Sequence, residues 1–351
     1  MHCKNPFERL EIKSDGSAYC CCEGWLPKPL GNVLESDLIS IWHGRAAREI
    51  RESIVDQSFR FCSACPYLPG PGGPVTSSPP DDLQAIPSGR VRVLKLDYDL
   101  SCNLACPSCR VTHSKNFVDR NKVRRIYEVI SWSEVLSVTD RLYVTGMGDP
   151  FASAHYWDLL QNLPSLPELP KLEVFLHTNG LLLDDVHWMA LGPTRDRVSE
   201  VGISVDAATP DTYRQNRGGS WDKLWDNISF VNRLQAQNGG RPWLGFFFTV
   251  QANNYRELLP FVHLAKYHGA RWMSVTALRN WGTFTREEYL ARAVHLPGHP
   301  DHAEFREVIS HPTLRDPGIV VDHFDPRYTD QDIICDDGAL LPGSRPKTSD
   351  P

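Results

Sequence analysis

The sequence predicts an α/β protein: a partial (β/α)6 TIM-like barrel preceded by a small, cysteine-rich α+β module. Strand-like apolar runs alternate with helix-like runs over residues 91–335, and nine of the ten cysteines lie in the first 109 residues. Strands alternating with helices favour a parallel sheet covered by helices. The number of strand-like runs suits an open or partial barrel, in which the active site lies at the carboxyl ends of the strands.

One clear boundary divides the chain. Residues 69–90 contain six prolines and four glycines in 22 positions, a composition typical of a linker. We therefore expect a module at 1–68, a barrel with a C-terminal extension at 91–335 and a disordered tail at 336–351. A module this small needs a staple or a metal to fold stably.

The composition excludes several classes of protein. With 37 Lys and Arg against 43 Asp and Glu, the net charge of −6 gives no general attraction to nucleic acid or anionic membranes. No apolar stretch approaches the length of a membrane helix, and the N-terminus has no apolar signal-peptide core. The expected compartment is the cytoplasm, where clustered cysteines are more often ligands or catalysts than disulfides.

The barrel elements are predicted from the apolar runs. The expected strands are Val91–Leu96, Leu142–Val144, Leu172–Leu176, Val201–Val205, Leu244–Val250 and Trp272–Val275. The expected helices among them are Arg120–Trp132, Tyr156–Leu163, Trp221–Leu234 and Tyr255–Tyr267.

The module has its own local pattern. A strand around Leu10 and Ile12, a turn at Asp15-Gly16 and a returning strand at Ser17–Cys22 predict a hairpin. Ser36 is the expected N-cap of a short helix through Trp42, and a second helix is expected from Arg45 to Val55.

The first barrel strand runs directly into Cys102, Cys106 and Cys109, spaced C-x3-C-x2-C. Three thiolates can hold three irons of a cubane cluster and leave the fourth iron open for a substrate or cofactor. The alternative is a three-cysteine zinc site that lacks its fourth ligand.

This motif, at the end of the first strand of a partial barrel, resembles the radical S-adenosylmethionine (SAM) superfamily. The polar turns after the following strands are similar to the family's SAM-binding turns, although Ser108 replaces a frequent aromatic residue and Asp149 replaces the usual Glu. The resemblance implies SAM contacts from Gly146, Gly148, Asp149, Pro150, Thr178, Asn179, Ser204, Asp206, Val250 and Gln251.

The N-terminal module resembles the SPASM/twitch modules that hold an auxiliary [4Fe–4S] cluster in radical SAM enzymes. The resemblance implies Cys3, Cys21, Cys62 and Cys65 as its ligands; a structural zinc knuckle with the same four cysteines is the alternative. Such modules usually follow the barrel, whereas this one precedes it. The roles of Cys20, Cys22 and Cys335 stay open.

By this resemblance the chain is expected to be an enzyme that binds SAM at the open iron of a [4Fe–4S] cluster and cleaves it reductively to a 5′-deoxyadenosyl radical. The radical abstracts hydrogen from an unactivated C–H bond. The auxiliary cluster takes an electron from the substrate radical, and a flavodoxin- or ferredoxin-type protein is the expected reductant. The cofactor carries the hard chemistry, and the protein supplies placement and excludes water.

The expected substrate is a small polar natural product resembling a sugar or aminocyclitol, because residues 1–68 leave no room for a leader-binding domain. The alternative is a maturase that modifies a ribosomal peptide. A remote alternative is a non-enzymatic zinc protein that binds a partner.

Further residues are candidates for substrate contact, although no catalytic residue is assigned. Arg214 and Arg217 can meet a carboxylate of SAM or of the substrate, but surface arginines are common. Asn280 and Trp281 follow the sixth strand and can line a pocket, or form a turn with a core tryptophan.

Overall fold

The computed structural model of the chain describes residues 3–62, 65, 89–114, 118–131, 134–163 and 172–321. It forms two compact units. Unit 1 consists of Met1–Leu100, Asp119–Gly148 and Ser153–Phe175, and unit 2 of Ser101–Val118, Asp149–Ala152 and Leu176–Pro351. All but the last two residues of the expected linker lie outside the described residues, as do Cys335 and the expected tail. These two units are defined by which residues pack together, and they do not coincide with the predicted domains. The predicted domain boundaries therefore stay a prediction.

Unit 1 combines the module with the first barrel strands. Its elements are α1 (Asn5–Glu8), β1 (Arg9–Lys13), β2 (Ser17–Tyr19), β3 (Gly31–Asn32), α2 (Leu38–Trp42), α3 (Arg45–Val55), β4 (Val93–Asp97), α4 (Arg120–Ser131), α5 (Glu134–Val138), β5 (Arg141–Val144), α6 (Ala154–Asn162) and the start of β6 (Glu173–Thr178). Its strand order is β6-β5-β4-β1-β2-β3.

The predicted hairpin of the module is present as β1 and β2, which pair antiparallel. Leu10 and Ile12 are fully buried, as their alternation predicts. The return strand is shorter than expected and ends at Tyr19 rather than at Cys22.

The cap prediction for α2 is wrong by one residue. Asp37, not Ser36, is the N-cap, because its side chain accepts a hydrogen bond of 2.8 Å from the backbone nitrogen of Ser40. Asp and Ser cap helices about equally well, so the sequence does not separate these neighbours. Helix α3 has the predicted bounds, and Ala47, Ile50 and Ile54 form its buried face.

One pairing in unit 1 is not predictable from local pattern. Strand β1 of the module pairs parallel with β4, so Glu11 lies opposite Lys95 and Lys13 opposite Asp97. Strand β4 in turn pairs parallel with β5. The module therefore extends the sheet of the first barrel strands.

Unit 2 continues the alternation of strands and helices. Its elements are the end of β6, α7 (Asp185–Ala190), β7 (Val198–Ser204), α8 (Pro210–Asn216), α9 (Trp221–Gln237), β8 (Trp243–Val250), α10 (Leu258–Tyr267), β9 (Trp272–Ala277), α11 (Arg286–Leu290), α12 (His302–Ile309) and β10 (Ile319–Val321). Its strand order is β6-β7-β8-β9-β10, and the last four strands pair parallel.

The predicted α/β class is confirmed. Each of the six expected barrel strands is present as β4 to β9, with ends shifted by a few residues. The parallel strand β10 was not predicted. Among the described residues, no helix is long and apolar enough to cross a membrane.

Candidate functional site

The three-cysteine loop belongs to unit 2 and is held by hydrogen bonds between its own residues. Cys106 begins a turn in which its carbonyl accepts from the backbone nitrogens of Cys109 at 2.9 Å and Arg110 at 3.0 Å. Ser114 Oγ accepts from the Cys102 backbone nitrogen at 3.0 Å and donates to its carbonyl at 3.1 Å. The C-x3-C-x2-C segment thus forms a turn that is held at both ends by hydrogen bonds.

Polar groups surround the sulfur atoms of this loop. The backbone nitrogen of Leu104 donates to Cys102 Sγ at 3.4 Å, and Asn179 Nδ2 donates to the same sulfur at 3.7 Å. Arg110 Nη2 donates to Cys109 Sγ at 3.2 Å. Donors pointed at sulfur stabilise the thiolate form, which is the form that binds metal.

Two of the loop thiols, Cys102 and Cys106, are buried, and burial favours their protonated form. Burial raises the pKa of Cys102 to about 12, with Asp149 adding to the effect and Arg110 opposing it. Burial also raises the pKa of Cys106, against the opposing charge of Arg217. Metal binding to such cysteines therefore releases protons.

The predicted SAM-contacting turn after β5 begins with strained backbone. Thr145 has a φ of 72°, which is unusual for a β-branched residue. Its Oγ1 accepts from the backbone nitrogen of Gly148 at 2.9 Å, so the Gly146–Gly148 turn is fixed from within. Backbone strain that is held in this way is typical of functional sites.

Asp149 and Pro150 follow in unit 2, both buried. One carboxylate oxygen of Asp149 accepts from Thr178 Oγ1 at 2.7 Å and from the Asn179 backbone nitrogen at 2.9 Å. The other accepts from the Phe151 backbone nitrogen at 3.0 Å. Within the unit this carboxylate fixes the turn after β6.

The turn after β6 connects Asp149 to the cysteine loop. Asn179 Nδ2 also donates to Asn103 Oδ1 at 2.7 Å, and Asn179 Oδ1 accepts from the Leu181 backbone nitrogen at 3.0 Å. Asn179 therefore touches the cysteine loop through both Cys102 and Asn103. The structure thus brings three predicted residues, Thr178, Asn179 and Asp149, together beside Cys102.

Asp206 forms a second centre after β7. Its φ of 59° is left-handed, and its buried carboxylate accepts from Thr249 N at 2.6 Å and from Arg217 Nη1 at 3.1 Å. Arg217 lies near the loop, because its carbonyl is 3.6 Å from Cys106 Sγ. Its buried Nε has no hydrogen-bond partner among the described residues.

The other residues predicted to contact SAM are Ser204, Val250 and Gln251. Ser204 Oγ is 2.9 Å from His177 Nε2, whose ring stacks on Phe247 at 4.0 Å between centroids. Val250, the last residue of β8, and Gln251, which follows it, are both buried.

The remaining substrate candidates have local partners. Arg214 is 72% exposed and pairs with Asp211, so its position is that of a surface arginine. Asn280 donates to the Phe284 carbonyl at 2.9 Å and accepts from Gly282 N at 3.0 Å, which builds the turn that contains half-buried Trp281.

The module cysteines form a separate group in unit 1. The charges of Cys65, Cys3 and Cys21 add to burial in raising the pKa of Cys62 to about 12. Cys20 is almost fully buried, and Asn5 Nδ2 is 3.8 Å from Cys21 Sγ. The thiols of Cys3, Cys21, Cys62 and Cys65 are therefore neighbours. The described cysteines are all free thiols, and no three described His, Cys, Asp or Glu side chains are placed to hold a single metal ion.

Comparison with known proteins identifies both parts of the chain. Residues 100–239 match the family described as the Radical SAM superfamily, and residues 3–66 match an iron–sulfur cluster-binding domain, SPASM. The chain belongs to the radical SAM superfamily and carries a SPASM module. The predicted enzyme class and its cofactors are thereby confirmed: SAM, a SAM-binding [4Fe–4S] cluster and an auxiliary iron–sulfur cluster. The partial (β/α)6 barrel prediction is also confirmed.

Curated relatives are more distant. A GTP 3′,8-cyclase of Petrotoga mobilis is 32% identical over 139 residues, which are 38% of this chain and 41% of that protein. A GTP 3′,8-cyclase of Listeria monocytogenes is 23% identical over 208 residues, covering 58% of this chain and 60% of the relative. The chain thus spans less than two thirds of these relatives' lengths.

Solved structures are similar only at low scores. Streptococcus suis SuiB bound to its precursor peptide SuiA is 12% identical, with a TM-score of 0.45 over 90% of this chain and 72% of SuiB. At this score the likeness does not bear on function.

Several residues of the site carry no motif that predicts them. Asn103, Arg110 and Ser114 lie inside or beside the cysteine loop, where their proximity in sequence is the one available signal.

Proposed function

We propose that this chain cleaves SAM reductively at a cluster held by Cys102, Cys106 and Cys109 and uses the resulting radical to abstract hydrogen from a small polar substrate. One observation carries the proposal: three thiols, of which Cys102 and Cys106 are buried and Cys109 is half-buried, share one loop, and polar donors reach the sulfur atoms of Cys102 and Cys109. Three ligands leave one iron of a cubane without a protein ligand, which suits a cluster that binds SAM.

The residues fit the implied cluster chemically. The loop thiols are free, and the burial of Cys102 and Cys106 disfavours an uncompensated thiolate at these two positions. Iron supplies the missing positive charge and displaces the protons. When bound, the reduced cluster supplies the electron that breaks the sulfur–carbon bond of SAM.

The chain's own residues would orient the cofactor. The Arg217 guanidinium, fixed by Asp206 and with Nε unpartnered among the described residues, is suited to a carboxylate such as that of SAM. Asn179 and Asp149 hold the turn beside Cys102 and so fix the loop. We assign the turns from Gly146 to Pro150 and the segments at Ser204, Val250 and Gln251 to SAM binding on the family pattern.

We further propose that Cys3, Cys21, Cys62 and Cys65 hold the auxiliary cluster. The electrostatic effect of Cys65, Cys3 and Cys21 on Cys62 supports this set, which is the one the family pattern implies. Four thiolates occupy all four irons of a cubane, so the cluster would transfer electrons rather than bind substrate. The SPASM match favours iron–sulfur over the zinc knuckle.

For the substrate we propose a small polar molecule with an anionic group rather than a sugar or aminocyclitol. Both reported relatives are named for a reaction of GTP, which supports a small polar substrate that carries an anionic group. The sugar or aminocyclitol has no such support. The peptide alternative, the protein reductant and the cytoplasmic location stay predictions.

The test is the formation of 5′-deoxyadenosine under anaerobic conditions with dithionite. We expect reconstituted wild type to form it from SAM and Cys102→Ala to form none, because the loop then has two thiolates. Cys22→Ser is the matched control and should retain the reaction. Undiminished cleavage by Cys102→Ala would contradict the proposal.

A further inference from the structure

A group of four charged side chains lies in unit 1, where β1 of the module meets β4. The parallel register places Glu11 opposite Lys95 and Lys13 opposite Asp97. Because side chains alternate along a strand, all four point to one face of the sheet. The opposite face carries Leu10, Ile12, Leu94 and Leu96, which are fully buried. The charged face is therefore separate from the hydrophobic core under this part of the sheet.

The four charges form a network, and Arg9, outside it, also pairs with Glu11, with its Nη2 2.5 Å from Glu11 Oε1. Lys95 Nζ is 2.8 Å from Asp97 Oδ2 and 3.6 Å from Glu11 Oε2. Lys13 Nζ is 3.4 Å from Asp97 Oδ2 and 3.3 Å from Glu11 Oε2. Two ammonium groups are thus held next to each other by two shared carboxylates. We call Lys13 and Lys95 the lysine pair.

The accessible part of this network is the lysine pair. The side chains of Glu11 and Asp97 are 2% and 3% exposed, whereas those of Lys13 and Lys95 are 19% and 22% exposed. An ammonium group has three donors, and each lysine directs two contacts at the carboxylates. Each therefore keeps donor capacity toward the exposed side.

Both lysines are positively charged at neutral pH. Burial alone would lower the pKa of Lys95, but the charges of Asp97 and Glu11 raise it, and the same balance raises the pKa of Lys13. The two lysines in turn overcome the effect of burial on Asp97 and lower its pKa to about 2. Both lysines therefore stay charged; the two carboxylates balance them, and Arg9 beside Glu11 adds a further positive charge.

Its position is where an α/β barrel binds ligands. Lys13 and Asp97 are the last residues of β1 and β4. Gly146 follows β5 at the same edge, and a Cβ added there would lie 2.8 Å from Asp97 Oδ1. In barrels of this type the carboxyl ends of the strands carry the active site. Packing alone does not explain the network, since buried ion pairs add little stability compared with apolar residues.

Next to the network lies an aromatic pair, in which Tyr143 is half-buried and Phe175 is buried. Tyr143 of β5 is opposite Lys95 in the register, and its ring lies 4.4 Å from that of Phe175. Aromatic faces beside cationic donors are suited to a planar or ring-shaped ligand that also carries an anion.

We propose that the ammonium groups of Lys13 and Lys95 form a subsite for an oxyanion of the substrate, a phosphate or a carboxylate. The SPASM module would then contribute a side chain to substrate recognition as well as holding a cluster. The role of the bound group in turnover rests on the proposed function, whereas oxyanion binding itself does not.

The experiment uses the reconstituted holoenzyme and measures binding by calorimetry, with inorganic pyrophosphate and glutarate as probes. The simple variant Lys95→Met leaves Lys13 as the one lysine between two buried carboxylates and can fail to fold. Glu11→Gln/Lys95→Met removes one charge of each sign, leaves Asp97 paired with Lys13, and keeps a side-chain oxygen at position 11 that can accept from Arg9. Lys266→Met is the matched control, because exposed Lys266 pairs with Asp316 at 2.6 Å.

We expect wild type and Lys266→Met to bind a probe equally and Glu11→Gln/Lys95→Met to bind it at least about tenfold more weakly, the scale of one lost charge-assisted hydrogen bond. Tighter binding of pyrophosphate indicates a phosphorylated substrate, and tighter binding of glutarate a carboxylate. All three proteins should contain equal iron and cleave SAM at equal rates without substrate.

Three results would overturn the inference. Binding of neither probe by wild type excludes an oxyanion subsite, and equal binding by the double variant shows that the lysine pair is not the site. Loss of SAM cleavage in the double variant alone would mean that the pair binds SAM rather than substrate. Absence of SAM cleavage in all three proteins would instead contradict the proposed function, and the binding data would still decide the subsite.

Discussion

The two groups of cysteines differ in what surrounds their sulfur atoms. Around Cys102 and Cys109 the donors include a backbone nitrogen, the Asn179 amide and the Arg110 guanidinium. Among the described residues of the module, the donors to sulfur are local and uncharged: the Asn5 side chain, 3.8 Å from Cys21 Sγ, and the backbone of Asn5 and Cys22. The loop supplies three thiols in a polar frame, whereas the module gathers four thiols that act on one another.

This difference separates the two proposed roles. A cluster that exchanges ligands at an open iron needs neighbouring polar groups to place the incoming cofactor. A cluster with four protein ligands needs only its thiolates to transfer electrons. The loop therefore has the character of a reaction site and the module that of an electron acceptor.

The largest expected effect comes from removing a module ligand. Cys62→Ala should stop substrate conversion while SAM cleavage without substrate persists, because the electron acceptor is lost and the loop cluster is intact. Liquid chromatography of 5′-deoxyadenosine and of substrate measures the two reactions separately.

Cys22→Ser is the control for that comparison, because Cys22 does not contribute to the pKa shift of Cys62. It should retain both reactions and the full iron content. Normal substrate conversion by Cys62→Ala would show that the module cysteines do not hold the electron acceptor that the reaction needs.

A smaller effect is expected from changing Asp149, which supports the three-cysteine loop through the turn after β6. Asp149→Asn replaces an acceptor of three hydrogen bonds by an amide whose nitrogen faces donors, which should lower the free energy of unfolding by about 2 kcal/mol. The turn at Asn179 would loosen, so SAM cleavage should also fall. Urea denaturation of the variant against exposed Asp222→Asn measures the difference. Equal stability of the two variants would show that Asp149 does not support the loop.

The smallest effect is expected at Gly180, in the turn after β6. Gly180 has a φ of +82°, and an added Cβ would lie 2.8 Å from Leu224 Cδ1. Gly192 has a φ of +58° with no neighbour within 4 Å. Gly180→Ala should therefore lower the free energy of unfolding by about 1 kcal/mol more than Gly192→Ala. Both variants place a Cβ on left-handed backbone, but only at Gly180 does the added Cβ also clash with a neighbouring side chain. Thermal unfolding of the two variants checks this, and a larger loss for Gly192→Ala would contradict the packing around the turn.

The parts of the molecule that sequence predicts are those set by local pattern. The periodicity of nearby apolar residues predicts the strands β4 to β9 and helix α3. The spacing of the cysteines predicts the three-cysteine loop. The choice of Asp37 over Ser36 as a cap is not predicted in this way, because the two residue types satisfy the same backbone donors.

The parts that sequence does not predict depend on pairing between distant segments. The register of β1 against β4 joins residues more than 80 positions apart, and only this register brings Lys13 beside Asp97. The left-handed backbone of Asp206 is another example, because Thr249 and Asn216 stabilise it from separate elements. Neither feature leaves a mark in the sequence around it.

The most direct test of the division between the two cysteine groups is the iron and sulfide content after anaerobic reconstitution. We expect about eight irons in wild type and about four in a variant with Cys102, Cys106 and Cys109 all changed to Ala, as for two four-iron clusters. About four falling to none would leave the loop cluster but contradict the auxiliary cluster. No iron in either protein would contradict the account as a whole.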